Sequence, residues 1–279
     1  MTDAIRLTLA HSPDSDDAFM FWALAKRLVT VEGIEFEHVL SDIQSLNQAA
    51  LEARYDITAI SLHAYPYINQ DYSLLNVGAS VGDGYGPSVV ALKAVSLDDL
   101  ARRVVAVPGS LTTAALVLRL AVPEVRTEEI AFDAIMEAVA EGEVDAGVLI
   151  HEGQLTFRTR GLKKVIDLGE WWRDETGLPL PLGANAIRKN LGEDVAVKAA
   201  GAMRSSIRYA LDHRENALNY AKDFAKKLVQ PQLDQFVSMY VNDYTLDWGR
   251  KGRQAVTELL RRGAEAGIIP EVDKIEFIG

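Results

Sequence analysis

GLPLPLGAN, residues 177–185, decides how this chain is built. Pro179 and Pro181 carry no backbone N–H, which a strand in mid-sheet needs at each ladder position. The stretch therefore reads as an extended edge or hinge segment rather than a central strand. A second break stands upstream. GDGYGP, Gly82–Pro87, is a glycine-rich turn that feeds the apolar run Ser88–Val95. Two such crossings make a discontinuous first lobe, 1–93 plus 185–279, around an inserted second lobe, 94–184. A cleft between lobes is a natural place for a small-molecule site.

Outside these breaks, short apolar runs alternate with helical patterns. Ile5–Ala10, Ile34–Val39, Asp56–Ser61, Tyr72–Val81, Ser88–Val95, Arg103–Val107, Glu129–Phe132, Val144–Ile150 and Lys164–Leu168 read as strands. Asp17–Leu28, Ile43–Arg54, Leu62–Asn69, Leu111–Leu120 and Ala134–Glu141 read as helices. Strands alternating with helices predict an α/β fold with a mostly parallel sheet. Residues 193–267 read as helices only: Asp194–Leu211, Glu215–Leu228, Leu233–Asn242 and Asp247–Ala266.

The chain has 279 residues, 48% hydrophobic and 25% charged, enough for a sizeable core. A net charge of -11 argues against nucleic acid or an anionic membrane as the main partner. A small anionic ligand remains compatible, because a local site can oppose the global charge. The absence of cysteine removes disulfides, thiolate metal ligands and cysteine nucleophiles. The start, MTDAIRLTLAHSPDS, lacks the apolar run of a secretory signal, and no window approaches the roughly 18 apolar residues of a membrane span. A cytoplasmic protein is expected.

In open α/β sheets, ligands bind outside the carboxyl ends of the strands. His11 and Ser12, Ser61, Pro108–Ser110 and His151 all stand at such ends. In SPDSDDAFMFWALA, Ser12–Ala25, the residues Ser15 and Asp16 are N-cap types and the acids suit a helix start. Either this is a capped core helix, or Ser12, Asp14 and Ser15 form a cleft rim. The acids lack the ligand spacing of a calcium loop. In VPGSLTTAALVLRL, Val107–Leu120, a helix opens at Thr112 and Thr113. Its free N–H groups suit a carboxylate or phosphate, with simple threonine capping as the alternative. It is no P-loop, GDGYGP lacks dinucleotide-binding spacing, and HEGQ is not a zinc-binding H-E-x-x-H. His151 closes the apolar run Val144–Ile150 and precedes Gly153. A neutral imidazole there can accept a proton at neutral pH. Trp171 and Trp172 read as lobe packing, with a stacking wall as the alternative.

Taken in order, SPDSDDAFMFWAL, SLHAYPY, GDGYGP, PGSLTTA, IHEGQLTF and DLGEWWRDETGLPLPLG resemble the 1,4-dihydroxy-6-naphthoate synthases of the futalosine route to menaquinone. YVNDYTLDWGRKG, Tyr240–Gly252, is similar to the C-terminal part of that family. The resemblance implies a two-lobed type 2 periplasmic-binding-protein-like fold with a ligand cleft and a helical C-terminal part. It implies a lyase that cleaves cyclic dehypoxanthine futalosine to 1,4-dihydroxy-6-naphthoate and releases dihydroxyacetone, with no metal or organic cofactor. It places the base on His151 and substrate contacts on Ser61, Thr113 and Ala114. Thr112, Ser12 and Asp14 are further candidates at the same rim. Alternatives are the chorismate dehydratase of the same pathway, a non-catalytic small-acid-binding protein, and a relative acting on another aromatic acid. HEGQLTF and GLPLPLG favour the synthase.

Overall fold

The structure, a computed structural model, describes residues 4–225 and 228–279. Among the described residues twelve strands form two sheets. In chain order they are β1 (Ile5–His11), β2 (Ile34–Leu40), β3 (Ile57–Ser61), β4 (Tyr72–Leu75), β5 (Ser80–Gly82), β6 (Ser88–Ala91), β7 (Val104–Val107), β8 (Arg126–Glu129), β9 (Ala146–Leu149), β10 (Lys163–Asp167), β11 (Leu180–Arg188) and β12 (Phe277–Ile278). The first sheet runs β12-β4-β11-β3-β1-β2, with β5 paired to β11, and the second runs β10-β6-β9-β7-β8.

Strand β3, ITAIS, is buried at every position, as suits a strand covered on both faces. β1 pairs in parallel with β2 and β3, and β7 with β8 and β9. The crossing strands differ. β11 is antiparallel to β3, β4 and β5, and β6 is antiparallel to β9 and β10. The sheets are therefore mixed rather than mostly parallel. A strand arriving from the other sheet has no crossover helix to bring it back parallel.

GLPLPLGAN departs from the expected edge or hinge segment. The second half of β11 lies in mid-sheet, between β3 and β4. The prolines stay out of that ladder. Pro181 pairs with Val81 of the short β5, the register shifts between Pro181 and Gly183, and the β3 ladder starts at Gly183 opposite Ser61. Both changes of sheet also fall upstream of the expected boundaries at 93/94 and 184/185. Ser88–Ala91 pairs with β9 and β10 of the second sheet, and the first sheet resumes at Leu180.

The two crossing segments pack against each other. A Cβ on Gly86 would lie 2.8 Å from the Gly169 nitrogen, and one on Gly169 would overlap the Tyr85 carbonyl. Leu168 N–H donates to the Pro87 carbonyl at 2.9 Å, and the Trp172 indole to the Pro179 carbonyl at 3.0 Å. Trp172 is fully buried and Trp171 packs on the same core; neither lines the cleft described below.

Two strands differ from their expected bounds. The run Tyr72–Val81 splits into β4 and β5 at Gly78, whose φ of +76° and N–H bond to the Thr245 carbonyl interrupt the ladder. β8 covers Arg126–Glu129 rather than Glu129–Phe132, because its ladder with β7 runs from Val104 opposite Arg126 to Val107 opposite Glu129.

The C-terminal helices are Glu193–Asp212, Arg214–Ala221, Gln230–Tyr240, Asp243–Leu246 and Gly249–Glu265. The helix expected over Glu215–Leu228 ends at Ala221, with a 3-10 turn at Lys222–Phe224; residues 226 and 227 lie outside the described residues. Helix Glu193–Asp212 packs on helix Ser15–Ala25, and Phe19, Met203, Ile207 and Phe236 share one core. Each such buried side chain stabilises by roughly 1.5–3 kcal/mol. The Ser206 hydroxyl seals the contact, donating to the Met20 carbonyl at 2.8 Å and accepting from Leu24 N–H at 3.3 Å. The C-terminal part thus completes the first lobe. Among the described residues no helix is long and apolar enough to cross a membrane.

Gly169→Ala should destabilise the fold by about 1–3 kcal/mol through overpacking. Gly201→Ala, facing open space within a helix, should stabilise it by about 0.5–1 kcal/mol. Urea midpoints at unchanged slope would measure both.

Candidate active site between the two sheets

The carboxyl ends of β1, β3, β7 and β9 face one cleft with a cavity volume of about 120 Å³. Ser12, Asp14, Ser61, Thr112, Thr113, Ala114 and His151 all line it. The hinge half of β11 forms its floor with Leu182, and helix Gln230–Tyr240 adds Phe236 and Tyr240.

His151 follows β9 and stands at φ +55°, in the left-handed region. That region is strained for a non-glycine residue and is retained where the surroundings over-determine it. Three contacts do so. The ring meets Phe132 edge-on at 4.9 Å between centroids. The His151 carbonyl accepts from Gln154 N–H at 3.2 Å. Its Nδ1 lies 3.2 Å from Oδ2 of Asp14, across the cleft. A neutral imidazole donating from Nδ1 leaves Nε2 as the basic nitrogen. Nε2 is buried and has no hydrogen-bond partner among the described residues.

Asp14 itself is the N-cap of helix Ser15–Ala25, accepting from Asp17 N–H at 3.1 Å through Oδ1. Capping by Ser15 or Asp16 was the residue-type expectation. Asp14 takes that position because its backbone is extended (φ -111°, ψ 174°) while Ser15 is already helical. Both Asp14 oxygens have protein partners, so the geometry makes it an orienting group for His151 at the cleft wall.

At the facing helix, Thr113–Ala121, the Thr112 hydroxyl accepts from Ala115 N–H at 3.3 Å and donates to the Gly109 carbonyl at 2.7 Å. Threonine capping therefore accounts for that hydroxyl. The first-turn N–H groups of Thr113 and Ala114 have no acceptor within their own helix, and both residues line the cleft. The Thr113 hydroxyl donates to the Leu182 carbonyl at 2.5 Å and accepts from His63 N–H at 3.3 Å. Ser61 accepts from the Asn47 amide at 3.1 Å, and its N–H donates to Asn47 Oδ1 at 2.8 Å. The same amide reaches the Leu111 carbonyl at 3.3 Å. Gln44 accepts from Leu111 N–H at 3.1 Å. Asn47 and Gln44 thus tie Ser61 to the helix start. Sequence reading misses both, although a fully buried Asn on the apolar face of helix Ile43–Leu51 is a detectable signal.

Asp16 and Asp17 are also buried in the cleft wall. Burial first, then the charges of Asp14 and Asp17 and a side-chain hydrogen bond with Asp14, hold the Asp16 carboxyl well above the ordinary aspartate range. Asp17 moves the same way through burial and the Asp14 charge, opposed by the Ser12 N–H it accepts at 2.7 Å. Asp14, Asp16 and His151 each bring a ligand-type atom within 4.8 Å of the others. Two of these atoms already face each other, His151 Nδ1 and Asp14 Oδ2 at 3.2 Å, and the Asp16 carboxyl is pushed toward its neutral form, an arrangement that suits hydrogen bonding.

Behind Ser12, His11 Nε2 meets His38 Nδ1 at 3.1 Å. Burial, and then the neighbouring His38, push His11 down to about 4. Its unfolded form takes a proton near pH 6.5, so between these values the unfolded chain binds more protons. The stability from neutral His11 is complete above about pH 6.5 and lost as pH falls toward 4. Denaturant titration of His11→Gln should show a shallower acid limb in that window.

A family model described as menaquinone biosynthesis matches residues 7–265. A Thermus thermophilus protein named 1,4-dihydroxy-6-naphthoate synthase is 40% identical over 262 residues, covering 94% of this chain and 95% of that one. The crystal structure of an Archaeoglobus fulgidus protein superposes with a TM-score of 0.91 at 45% identity, covering 95% of this chain and 98% of the other. The alkanesulfonate-binding protein of Xanthomonas axonopodis pv. citri, bound to MOPS, reaches a TM-score of 0.70 at 12% identity over 97% and 96% of the two chains. This last likeness concerns the fold alone, a two-lobed periplasmic-binding-protein-like architecture. With the matched model spanning nearly the whole chain, the protein belongs to the menaquinone biosynthesis family.

Proposed function

We propose that this chain is a carbon–carbon lyase that converts cyclic dehypoxanthine futalosine to 1,4-dihydroxy-6-naphthoate with release of dihydroxyacetone, and that His151 is its general base. The observation that carries the reading is the buried, unpartnered Nε2 of His151, oriented through Nδ1 by Asp14. Family membership and the name of the Thermus relative support the reaction and speak against chorismate dehydration. The fold shared with binding proteins carries no weight for a transport role, because those likenesses lie at 10–15% identity.

The roles follow from position. The N–H groups of Thr113 and Ala114 hold an anionic substrate group at the positive end of their helix. Ser61, fixed by Asn47, orients the substrate from the opposite lobe, and Ser12 completes the rim. His151 Nε2 takes one proton, and formation of the aromatic naphthoate drives the bond cleavage. The segments 83–87 and 177–182 serve as the hinge about which the two lobes, each built on one sheet, close over the substrate and exclude water. A small anionic molecule is the partner, rather than nucleic acid or membrane, and the cytoplasm is the assigned compartment.

Purified protein incubated with cyclic dehypoxanthine futalosine, without added metal or cofactor, should yield the naphthoate by chromatography. His151→Asn keeps a residue type that tolerates the left-handed backbone. It should fold and bind but lose about 10²–10⁴-fold in turnover. Near-wild-type turnover by that variant would remove His151 from the base role.

A further inference from the structure

The cleft holds a buried carboxyl that the steps above leave unused. Asp16 stands in the first turn of helix Ser15–Ala25, lines the cleft and is only 8% exposed. Its Oδ1 is buried with no hydrogen-bond partner among the described residues. Folded proteins pair nearly all their buried polar atoms, so an orphan in a ligand cleft marks a contact that the ligand completes. The neighbouring carboxyls are already committed. Asp17 accepts from Ser12 N–H, and Asp14 divides its oxygens between the helix cap and His151. Of these three acids, Asp16 alone has a buried atom left over.

We propose that Asp16 is a second catalytic residue, a neutral carboxylic acid that donates a hydrogen bond to a substrate oxygen beside the carbon activated by His151 and holds the negative charge developing there. The proposal rests on the lyase reading above. Its proton stays on Asp16 throughout; no bond to Asp16 forms or breaks. The groups around it keep it protonated. Burial disfavours a third charge most, then the charges of Asp14 and Asp17 in the same turn, then a side-chain hydrogen bond to Asp14 that the substrate oxygen would replace. His151 approaches from the loop after β9, already paired with Asp14. Tyr240 faces it from helix Gln230–Tyr240; burial pushes its phenol upward, and its O–H donates to Gln154 Oε1 at 2.8 Å, so it stays neutral. A preorganised donor in a water-excluded cleft acts most strongly on charge that appears only in the transition state.

Asp16→Ala should lower kcat by about 10²–10³-fold, the effect of losing one donor to a developing oxyanion, with a smaller change in KM. Its melting temperature should not fall, since an orphaned buried polar atom is removed. Asp16→Asn, which keeps a neutral donor of the same shape, should recover most of the lost turnover. Wild-type activity should decline on the alkaline side as Asp16 ionises, and Asp16→Asn should lack that limb. An infrared difference spectrum between wild type and Asp16→Asn at neutral pH should show the carbonyl band of a protonated carboxylic acid. Full turnover in Asp16→Ala, an Asp16→Asn as slow as Asp16→Ala, or absence of the band would each overturn the proposal. No turnover by the wild type would sink the lyase reading and this role with it, whereas the infrared band decides the protonation of Asp16 independently of activity.

Discussion

The two passages between the sheets meet backbone to backbone at Gly86 and Gly169, where no Cβ fits. Trp172 and the Pro87 carbonyl fasten the same place with hydrogen bonds. Because both passages are tied to one another at one place, the strand ends of the two sheets face each other across the cleft. His151 and the helix start at Thr113 belong to the second sheet, Asp14 and Ser61 to the first. The cleft lies between them.

Asp14 couples helix formation to chemistry. One of its oxygens ends the first helix and the other orients the imidazole of His151. A capping carboxylate typically contributes about 0.5–2 kcal/mol, so the group that aligns the base is held in place by the helix it caps. Asn47 plays the corresponding role opposite, joining Ser61 to the Leu111 carbonyl just before the second helix start. Each wall of the cleft is therefore placed by a side chain that also bridges two elements.

The polar groups of the cleft divide into those that are satisfied and those that are not. Thr112, Thr113 and Asp17 are spent within the protein and set geometry, while the Ser61 hydroxyl accepts from Asn47 and keeps its own proton to donate. His151 Nε2, Asp16 Oδ1 and Asn185 Oδ1 are buried without partners among the described residues. For Asn185 the orientation is dictated by its amide, which donates to the Gly78 carbonyl at 2.8 Å. Unpaired buried polar atoms cost stability; these three line the cleft, where a ligand can pair them, whereas those of Ser15, His38 and Asn76 lie outside it. A net charge of -11 does not oppose an anionic ligand in such a site, since two of its buried acids are pushed toward the neutral form.

The sequence by itself determined the two-lobed α/β plan, the two crossings and the strand ends that carry Ser61, Thr113 and His151. These are local properties: apolar runs, proline and glycine positions, and helix starts act over a few residues. Only the tertiary structure decided that β11 enters mid-sheet beyond Pro181, because strand pairing rather than composition settles which N–H groups are needed. Only it decided that Asp14 turns one oxygen to His151, that Asn47 and Gln44 reach the second lobe, and that Tyr240 closes a wall. Those contacts join residues far apart in the chain, and no local preference for helix or strand encodes which distant side chain will share a buried space.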